Sequence, residues 1–339
     1  MFNTLKELCI INGVSGQEGK VAEYITKRID GKCDFHIDNL GNVVAFKKGK
    51  KTPKNKVLIS AHMDEVGFIV NYINDDGTLK ISAVGGVDAR VVFGRQVIVG
   101  EKQIVGVIGS KAVHNLTPQE KETAIKINNM YVDIGATSKK QASEYVSLGE
   151  YVAYKSDYIE FGEEMIKSKA IDDRAGCAIM LELIDSELEY DTYFTFVTQE
   201  EIGLRGAKVA SYSVNPDIAI VLETTTASDI PSVEDEKRVC EVNKGAVISF
   251  MDRSTIYNKE IYNLGTSICE EQNIPYQTKT MVAGGNDSGA IHTSRGGVKT
   301  IAISVPCRYL HSPSCVISKK DFLAVSNATK AILTKVYNL

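Results

Sequence analysis

Several features that define other protein classes are missing from this chain of 339 residues. No segment approaches the roughly 18 consecutive apolar residues of a membrane-spanning helix, so we expect no membrane partner. The opening residues show neither the apolar stretch nor the cleavage pattern of a signal peptide. Seven cysteines are scattered without C-x-x-C spacing, which favours reduced thiols and a cytoplasmic protein. A net charge of -4 argues against nucleic acid as the main partner.

The patterns that are present indicate an α/β protein with an insertion. Residues 1–66 and 165–339 alternate short apolar strands with amphipathic helices, which is typical of a sheet covered by helices. Residues 67–164 consist instead of β-branched runs separated by turns, which predicts a small β-rich domain. We therefore predict a discontinuous α/β domain that carries an inserted β-rich domain. Capping-box patterns predict helix starts at Thr4, Ser15 and Ser318.

Five short clusters contain residue types that bind metal ions, and most of them follow apolar, strand-like runs. The clusters are His62–Glu65, Asp172–Arg174, Glu200–Glu201, Glu223 and Arg308–His311. Ligands of open α/β sheets bind beyond the carboxyl ends of the strands, so we expect these side chains to converge. Each cluster alone has an ordinary explanation, such as a solvated surface or a helix cap. Their placement at successive strand ends favours one common site.

The residue types in these clusters suit two divalent cations. Two histidines and three acidic residues can hold the pair, and imidazole with carboxylate suits Zn²⁺, Co²⁺ or Mn²⁺. Such ions convert bound water to hydroxide near neutral pH, and a carboxylate that is not a ligand accepts the proton. The adjacent Glu200 and Glu201 can divide these roles, and Asp64 can orient His62. The pattern therefore predicts metal-assisted hydrolysis.

Five motifs resemble, in order along the chain, the signatures of the tetrahedral or glutamyl aminopeptidases. This is a family of dinuclear metallopeptidases, some members of which carry a cellulase or endoglucanase label. The motifs are His62–Phe68, Lys169–Cys177, Gln199–Ala207, Gly284–His292 and Arg308–Pro313. The resemblance, which runs nearly end to end, implies a mixed-sheet metallopeptidase core that removes the N-terminal residue of short peptides.

The resemblance also implies roles for the site residues. These roles are ligands of one metal (His62, Asp172, Glu223), ligands of the other (Asp172, Glu201, His311), general base (Glu200) and support behind the ligands (Asp64, Asp173). Zn²⁺ and Co²⁺ are the first expectations and Mn²⁺ is a third. The wider clan predicts a cis peptide bond after Asp172. The β-rich segment would be a dimerisation domain, and dimers would assemble into a hollow dodecamer.

Two alternative functions remain open at the level of sequence. The family usually has aspartate where this chain has Glu223, and glutamate occurs there in some carboxypeptidases and dipeptidases of the same clan. A glycoside hydrolase is the other alternative, because of the cellulase labels. It would need two carboxylates and no metal, and the absence of tryptophan counts against an aromatic sugar platform. The sequence leaves the preferred N-terminal residue undetermined.

Overall fold

The computed structural model describes residues 1–339 and shows a mixed α/β fold with a separate β-barrel. The helices are α1 (Phe2–Ile10), α2 (Gly19–Ile29), α3 (Pro118–Lys121), α4 (Lys139–Tyr145), α5 (Ile171–Asp185), α6 (Arg205–Val214), α7 (Lys259–Glu271), α8 (Ser288–Ile291) and α9 (Lys319–Val336). The strands are β1 (Asp34–Ile37), β2 (Val43–Lys47), β3 (Val57–His62), β4 (Gly67–Ile73), β5 (Leu79–Val84), β6 (Gln96–Val99), β7 (Ile104–Ser110), β8 (Met130–Asp133), β9 (Tyr151–Tyr154), β10 (Ile159–Phe161), β11 (Met165–Ser168), β12 (Thr192–Val197), β13 (Ile218–Thr226), β14 (Ala246–Ile248), β15 (Tyr276–Thr278), β16 (Lys299–Cys307) and β17 (Cys315–Ser318). None of the helices has both the length and the apolar character needed to cross a membrane.

The main sheet has eight strands in the order β1-β2-β12-β3-β13-β16-β14-β15. Its central strands β12, β3, β13 and β16 all run parallel to one another. Strand β3 is buried along its whole length, as expected for a parallel strand covered on both faces. Because the four strands are parallel, their carboxyl ends meet at one edge of the sheet. This edge is where the sequence predicts the site.

Helices cover both faces of the main sheet. Helices α1, α2, α5, α7 and α9 pack on one face, and α6 and α8 pack on the other. In α2 the buried residues Val21, Ala22, Ile25 and Ile29 recur at helical spacing and form one apolar stripe. Burial of such stripes fixes the helices against the sheet. All seven cysteines are free, so the fold contains no disulfide.

The inserted segment forms a closed barrel with the strand order β4-β5-β8-β7-β6-β9. Its own apolar core includes Phe68, Val97 and Val132 and is separate from that of the main sheet. Closure leaves no unpaired strand edge. The barrel strands end at Tyr154, and β10, which follows, pairs with β11 in a second, three-stranded sheet that includes β17.

None of the three predicted capping boxes forms completely, and two of the three predicted helix starts are wrong. Helix α1 begins at Phe2 without a side-chain cap, so Thr4 lies inside the helix and is not its N-cap. Phe2 packs against Phe322 of α9. Helix α2 begins at Gly19, and the Glu18 carboxylate is used by the backbone N–H groups of Gly16 and Gln199 instead.

The third predicted start, at Ser318, is confirmed. The Ser318 hydroxyl accepts a hydrogen bond from the Lys320 N–H. The second half of the predicted box does not form, since the Asp321 carboxylate accepts hydrogen bonds from the backbone of Asn243 and Gly245. Asp321 therefore ties α9 to the loop before β14.

Candidate active site

The predicted site residues line one cavity of about 280 Å³ at the carboxyl edge of the parallel strands. His62 ends β3, the pair Glu200–Glu201 follows β12, and His311 follows β16. Asp172 lies at the start of α5, where its backbone is not yet helical. One expectation needs correction, because Glu223 does not follow a strand. Strand β13 continues to Thr226, paired residue by residue with β16, and Glu223 points into the cavity from within it.

The Asp172 carboxylate lies between two groups of side chains. Its Oδ1 is 3.2 Å from His62 Nε2, and its Oδ2 is 3.6 Å from His311 Nε2. Glu223 Oε1 lies 3.5 Å from His62 Nε2, while Glu201 Oε2 lies 3.3 Å from His311 Nε2. The structure thus brings together all five predicted ligands, in two groups that share Asp172.

Possible ligand atoms also come together in other combinations around Asp172. Those of His62, Asp172 and Glu201 lie within 4.8 Å of one another, and so do those of Asp172, Asp173 and Glu223. Asp173 Oδ1 accepts a hydrogen bond of 2.9 Å from the Gly176 N–H, which orients this carboxylate. The Asp172–Asp173 peptide bond is cis, as predicted.

Asp64 fixes the turn that carries the two glutamates. Its Oδ1 accepts a hydrogen bond from the Glu200 N–H at 3.0 Å, and its Oδ2 accepts from the Glu201 N–H at 3.1 Å and from the Ser15 hydroxyl at 2.6 Å. Asp64 also lies beside His62, with 3.4 Å between Oδ1 and Nδ1. The expected contact between Asp64 and His62 is present. The hydrogen bonds from Asp64 to the backbone of Glu200 and Glu201 could not be predicted from the spacing of residues in the sequence.

The barrel segment contributes directly to the site. His311 Nδ1 lies 2.9 Å from the Gly86 carbonyl oxygen, so this nitrogen donates and Nε2 is left facing the carboxylates. A Cβ at position 86 would lie 3.1 Å from Nδ1, so glycine permits this close approach. Gly86 and Asp88 also line the cavity. This contact has no sequence signature, because Gly86 offers only its backbone carbonyl to His311.

Positive backbone φ angles cluster around the cavity. Ala170, Gln199, Tyr309 and His311 have φ between 53° and 60°. Non-glycine residues seldom adopt this left-handed region, and such strain concentrates at functional sites. Three of the loops that bear predicted ligands therefore have conformations that the surrounding fold must enforce.

The cavity concentrates negative charge. Burial raises the pKa of Glu223 and of Glu200 well above their usual range, and it raises the pKa of Glu201 to about 8 against the opposing effect of His311. Burial alone would lower the pKa of His311, but Asp172 and Glu201 raise it to about 10. Divalent cations would supply the compensating charge. Imidazole and carboxylate donors suit Zn²⁺, Co²⁺ or Mn²⁺, so the residues present fit a metal centre.

A family model described as M42 glutamyl aminopeptidase matches residues 41–327. The chain belongs to this family. It is therefore a peptidase of aminopeptidase type, and the family predicted from the five motifs is confirmed. The glycoside hydrolase alternative rested on labels within this same family, and the matching family model is described as an aminopeptidase.

Two relatives and one solved structure match this chain over nearly its whole length. The glutamyl aminopeptidase of Lactococcus lactis is 31% identical over 99% of this chain and 96% of its own. The lysyl aminopeptidase of Pyrococcus furiosus is 30% identical over 99% of this chain and 97% of its own. The TET1 peptidase of Pyrococcus horikoshii superposes with a TM-score of 0.87 at 32% identity, covering 98% of each chain. That protein can assemble into a tetrahedron or a large octahedral shell.

Proposed function

We propose that this protein is a dinuclear metal-dependent aminopeptidase that hydrolyses the N-terminal residue of short peptides. The observation that carries the proposal is the position of Asp172 between the His62 and His311 groups. A carboxylate with one oxygen toward each group is suited to bridging two cations. Membership of the aminopeptidase family supports the same conclusion.

The proposed ligand sets follow the two groups of contacts. The residues are His62, Asp172 and Glu223 for one cation, and Asp172, Glu201 and His311 for the other. Zn²⁺ or Co²⁺ fits this donor set best, with Mn²⁺ as the third option. When bound, such a pair of cations polarises the scissile carbonyl and makes water a nucleophile near neutral pH.

Glu200 is the proposed general base. Its carboxylate lines the cavity and makes no hydrogen bond within the protein, while its backbone N–H is held by Asp64 at 3.0 Å. The side chain is thus placed by its backbone but free to accept a proton from the attacking water. It can return that proton to the leaving amine, which is the acid–base exchange that peptide hydrolysis requires.

Blocked peptides test which end of the substrate is hydrolysed. Peptides with a free amino group and an amidated carboxyl end should be cleaved by the metal-loaded protein, and chelation should stop the reaction. Peptides with an acetylated amino group should not be cleaved. Cleavage of the acetylated peptides at their carboxyl end would instead identify a carboxypeptidase, the alternative suggested by Glu223.

The barrel is the proposed dimerisation domain of a homo-oligomer built from dimers, up to a dodecamer. It carries exposed apolar side chains, including Phe93 at 54%, Val105 at 52% and Val113 at 69%. The assembly of the similar TET1 peptidase supports this proposal. A cytoplasmic location is also proposed, since all seven cysteines are unpaired.

A further inference from the structure

We propose that Glu18 is a positioning residue for the general base: it holds the backbone of Gln199 and thereby directs the Glu200 carboxylate into the cavity. The inference rests on the proposed aminopeptidase function, in which Glu200 accepts the proton of the attacking water. Glu18 lies 181 residues before Gln199 in the sequence and is not among the residues that line the cavity. It therefore acts through the backbone and not on the substrate.

The turn that carries the two glutamates is held from outside. After β12 ends at Val197, four successive backbone N–H groups donate to side chains from distant parts of the chain. The bonds run from Thr198 to Asn42 Oδ1 at 2.8 Å, from Gln199 to Glu18 Oε1 at 3.1 Å, and from Glu200 and Glu201 to Asp64 Oδ1 and Oδ2 at 3.0 and 3.1 Å. All three acceptor side chains belong to buried residues. A turn fixed in this way has little freedom to move relative to the proposed metal ligands.

The direction of the Glu200 side chain depends on this turn. Its carboxylate lines the cavity and makes no hydrogen bond within the protein, so the backbone sets its position. Gln199, the residue before it, has a φ of 58°, in the left-handed region that residues other than glycine seldom adopt. Such a conformation persists only where the surroundings enforce it.

Glu18 and Asp64 hold the two peptide groups on either side of Gln199. The Gln199 N–H belongs to the peptide group before this residue, and the Glu200 N–H belongs to the peptide group after it. The φ and ψ angles of Gln199 define how these two planes are oriented relative to each other. With both planes bonded to buried carboxylates, the left-handed conformation is fixed and the Glu200 side chain leaves the turn in one direction. Loss of Glu18 would release the first plane.

Glu18 is itself held in place by the N-terminal strap, which we define as the segment Gly13–Glu18 before α2. The strap pairs with the chain that follows β3. The Glu65 N–H donates to the Gly13 carbonyl at 3.0 Å, and the Ser15 N–H donates to the Glu65 carbonyl at 3.3 Å. Glu18 thus reaches the glutamate turn from a segment that is already fixed beside the first proposed metal-binding motif.

A purely local role for Glu18 would be to stabilise the turn before α2. Its Oε1 also accepts a hydrogen bond of 2.8 Å from the Gly16 N–H, and that bond involves the strap alone. Loss of a local turn would lower the stability of the fold but leave the catalytic step of the folded molecules unchanged. Loss of the alignment of Glu200 would instead lower kcat, so the two roles predict different kinetics.

The first test uses Glu18→Met, which nearly keeps the size of the side chain and removes the acceptor, in the metal-loaded protein. The probe is whichever p-nitroanilide of Glu, Leu or Lys the wild type cleaves fastest. The kcat should fall about 10–10²-fold, since small displacements of a catalytic group have effects of this size, while KM and metal content stay within about twofold. Glu18→Gln retains an oxygen that can accept from Gln199 and should recover kcat to within about threefold of the wild type. Glu23→Met, which alters an exposed residue of α2, is the matched control and should keep the wild-type kcat.

A double-mutant cycle tests whether Glu18 acts through Glu200. In the Glu200→Gln background the base is already absent, so adding Glu18→Met should change kcat by no more than about twofold. A further loss as large as that seen in the wild-type background would show that Glu18 acts on another group, and it would overturn the inference.

Hydrogen exchange gives a measurement that does not depend on turnover. The amides of residues 198–201 should exchange about fivefold faster or more in Glu18→Met than in the wild type, because one of their acceptors is missing. Glu23→Met should match the wild type. Unchanged exchange in Glu18→Met would show that Gln199 is held without Glu18, which contradicts the inference.

The kinetic outcomes also discriminate. A wild-type kcat in Glu18→Met, even with a lower melting temperature, would show that Glu18 stabilises only its local turn. A loss of kcat that merely follows a loss of bound metal would show that it supports the ligands and not the base. Either result would overturn the inference and leave the aminopeptidase function standing. Failure of the wild type to cleave any aminoacyl substrate would overturn the proposed function, and with it this inference.

Discussion

The Lys169 ammonium lies 2.5 Å from Glu65 Oε1, and both side chains are 3% exposed. Glu65 lies three residues after His62, and Lys169 lies three residues before Asp172. This ion pair therefore joins the two chain segments that carry the ligands of one proposed metal. The Gly13 N–H also donates to Glu65 Oε1, at 3.0 Å, so the segment before α2 is tied to the same carboxylate. The pair acts as a buried clamp behind the site.

The first prediction is that Glu65→Gln strongly destabilises the protein. The substitution leaves the Lys169 charge buried without its counter-charge, which typically costs about 3–5 kcal/mol in the free energy of unfolding. Urea unfolding measures this loss. Glu189→Gln is the control, because its pair with Lys51 is exposed and worth at most about 1 kcal/mol. Equal losses in the two variants would show that the buried pair is not a clamp.

Much of this architecture was predictable because it depends on local apolar patterns. Strands β3 and β12 are short buried runs of mostly apolar residues. The polar residues at or after their ends, His62, Glu200 and Glu201, therefore lie at the carboxyl edge of the sheet. Contacts set by tertiary packing were not predictable. The Gly86 carbonyl that contacts His311 comes from the inserted segment, which is far from His311 in the sequence. The apolar run predicts that the strand ends at Leu222, before Glu223. In the structure β13 continues to Thr226, because residues 223–226 still pair with β16.

The second prediction separates the two adjacent glutamates. Glu200→Gln should reduce turnover by about 10²–10⁴-fold while leaving the metal content unchanged, since Glu200 is proposed as base and not as ligand. Glu201→Gln should lower the bound metal, because Glu201 Oε2 lies 3.3 Å from His311 Nε2 in the second ligand group. Elemental analysis of the dialysed proteins, combined with kcat, tests both statements. Near-normal turnover in Glu200→Gln would contradict the role of this residue.

The third prediction concerns pH and Asp321, whose carboxylate accepts hydrogen bonds from Asn243 and Gly245 and contacts none of the proposed metal ligands. Burial raises the pKa of Asp321 to about 6, although the N–H groups of Asn243 and Gly245 oppose this. A carboxyl whose pKa is higher in the folded state than in the unfolded state stabilises the fold when protonated. Its contribution is complete below the unfolded pKa and is lost as the pH rises through the folded pKa.

The Asp321→Asn variant is the reference for this test. Its side chain at position 321 cannot titrate, whereas all other groups titrate as in the wild type, so the difference in unfolding free energy between the two proteins reports on Asp321 alone. The stability of the wild type relative to Asp321→Asn should fall between about pH 4 and pH 6, by up to about 1.4 kcal/mol per pH unit. Above about pH 7 the difference should be constant. Urea unfolding across this range gives the result, and a difference that rises with pH would show that the two N–H donors dominate over burial.

The fourth prediction concerns assembly through the barrel. Phe93 and Val113 line an apolar groove of about 300 Å³ on the barrel, and both side chains are exposed in the single chain. If this surface forms the dimer interface, charges placed there should prevent association by burying unpaired carboxylates. The double variant Phe93→Glu and Val113→Glu should therefore have a lower mass than the wild type in light scattering. Ile10→Glu, which alters a residue 53% exposed on α1, is the control and should keep the wild-type mass.

The proposed assembly would matter for this peptidase because a closed shell would determine which substrates reach the cavity. A closed shell admits peptides and excludes folded proteins, so the double variant should degrade an unfolded polypeptide faster relative to a short peptide than the wild type does. A wild type that stays monomeric at micromolar concentrations would contradict the assembly proposal. The chemistry of Glu200 and its neighbours would be unaffected, because every proposed ligand and the Gly86 carbonyl that orients His311 belong to one chain.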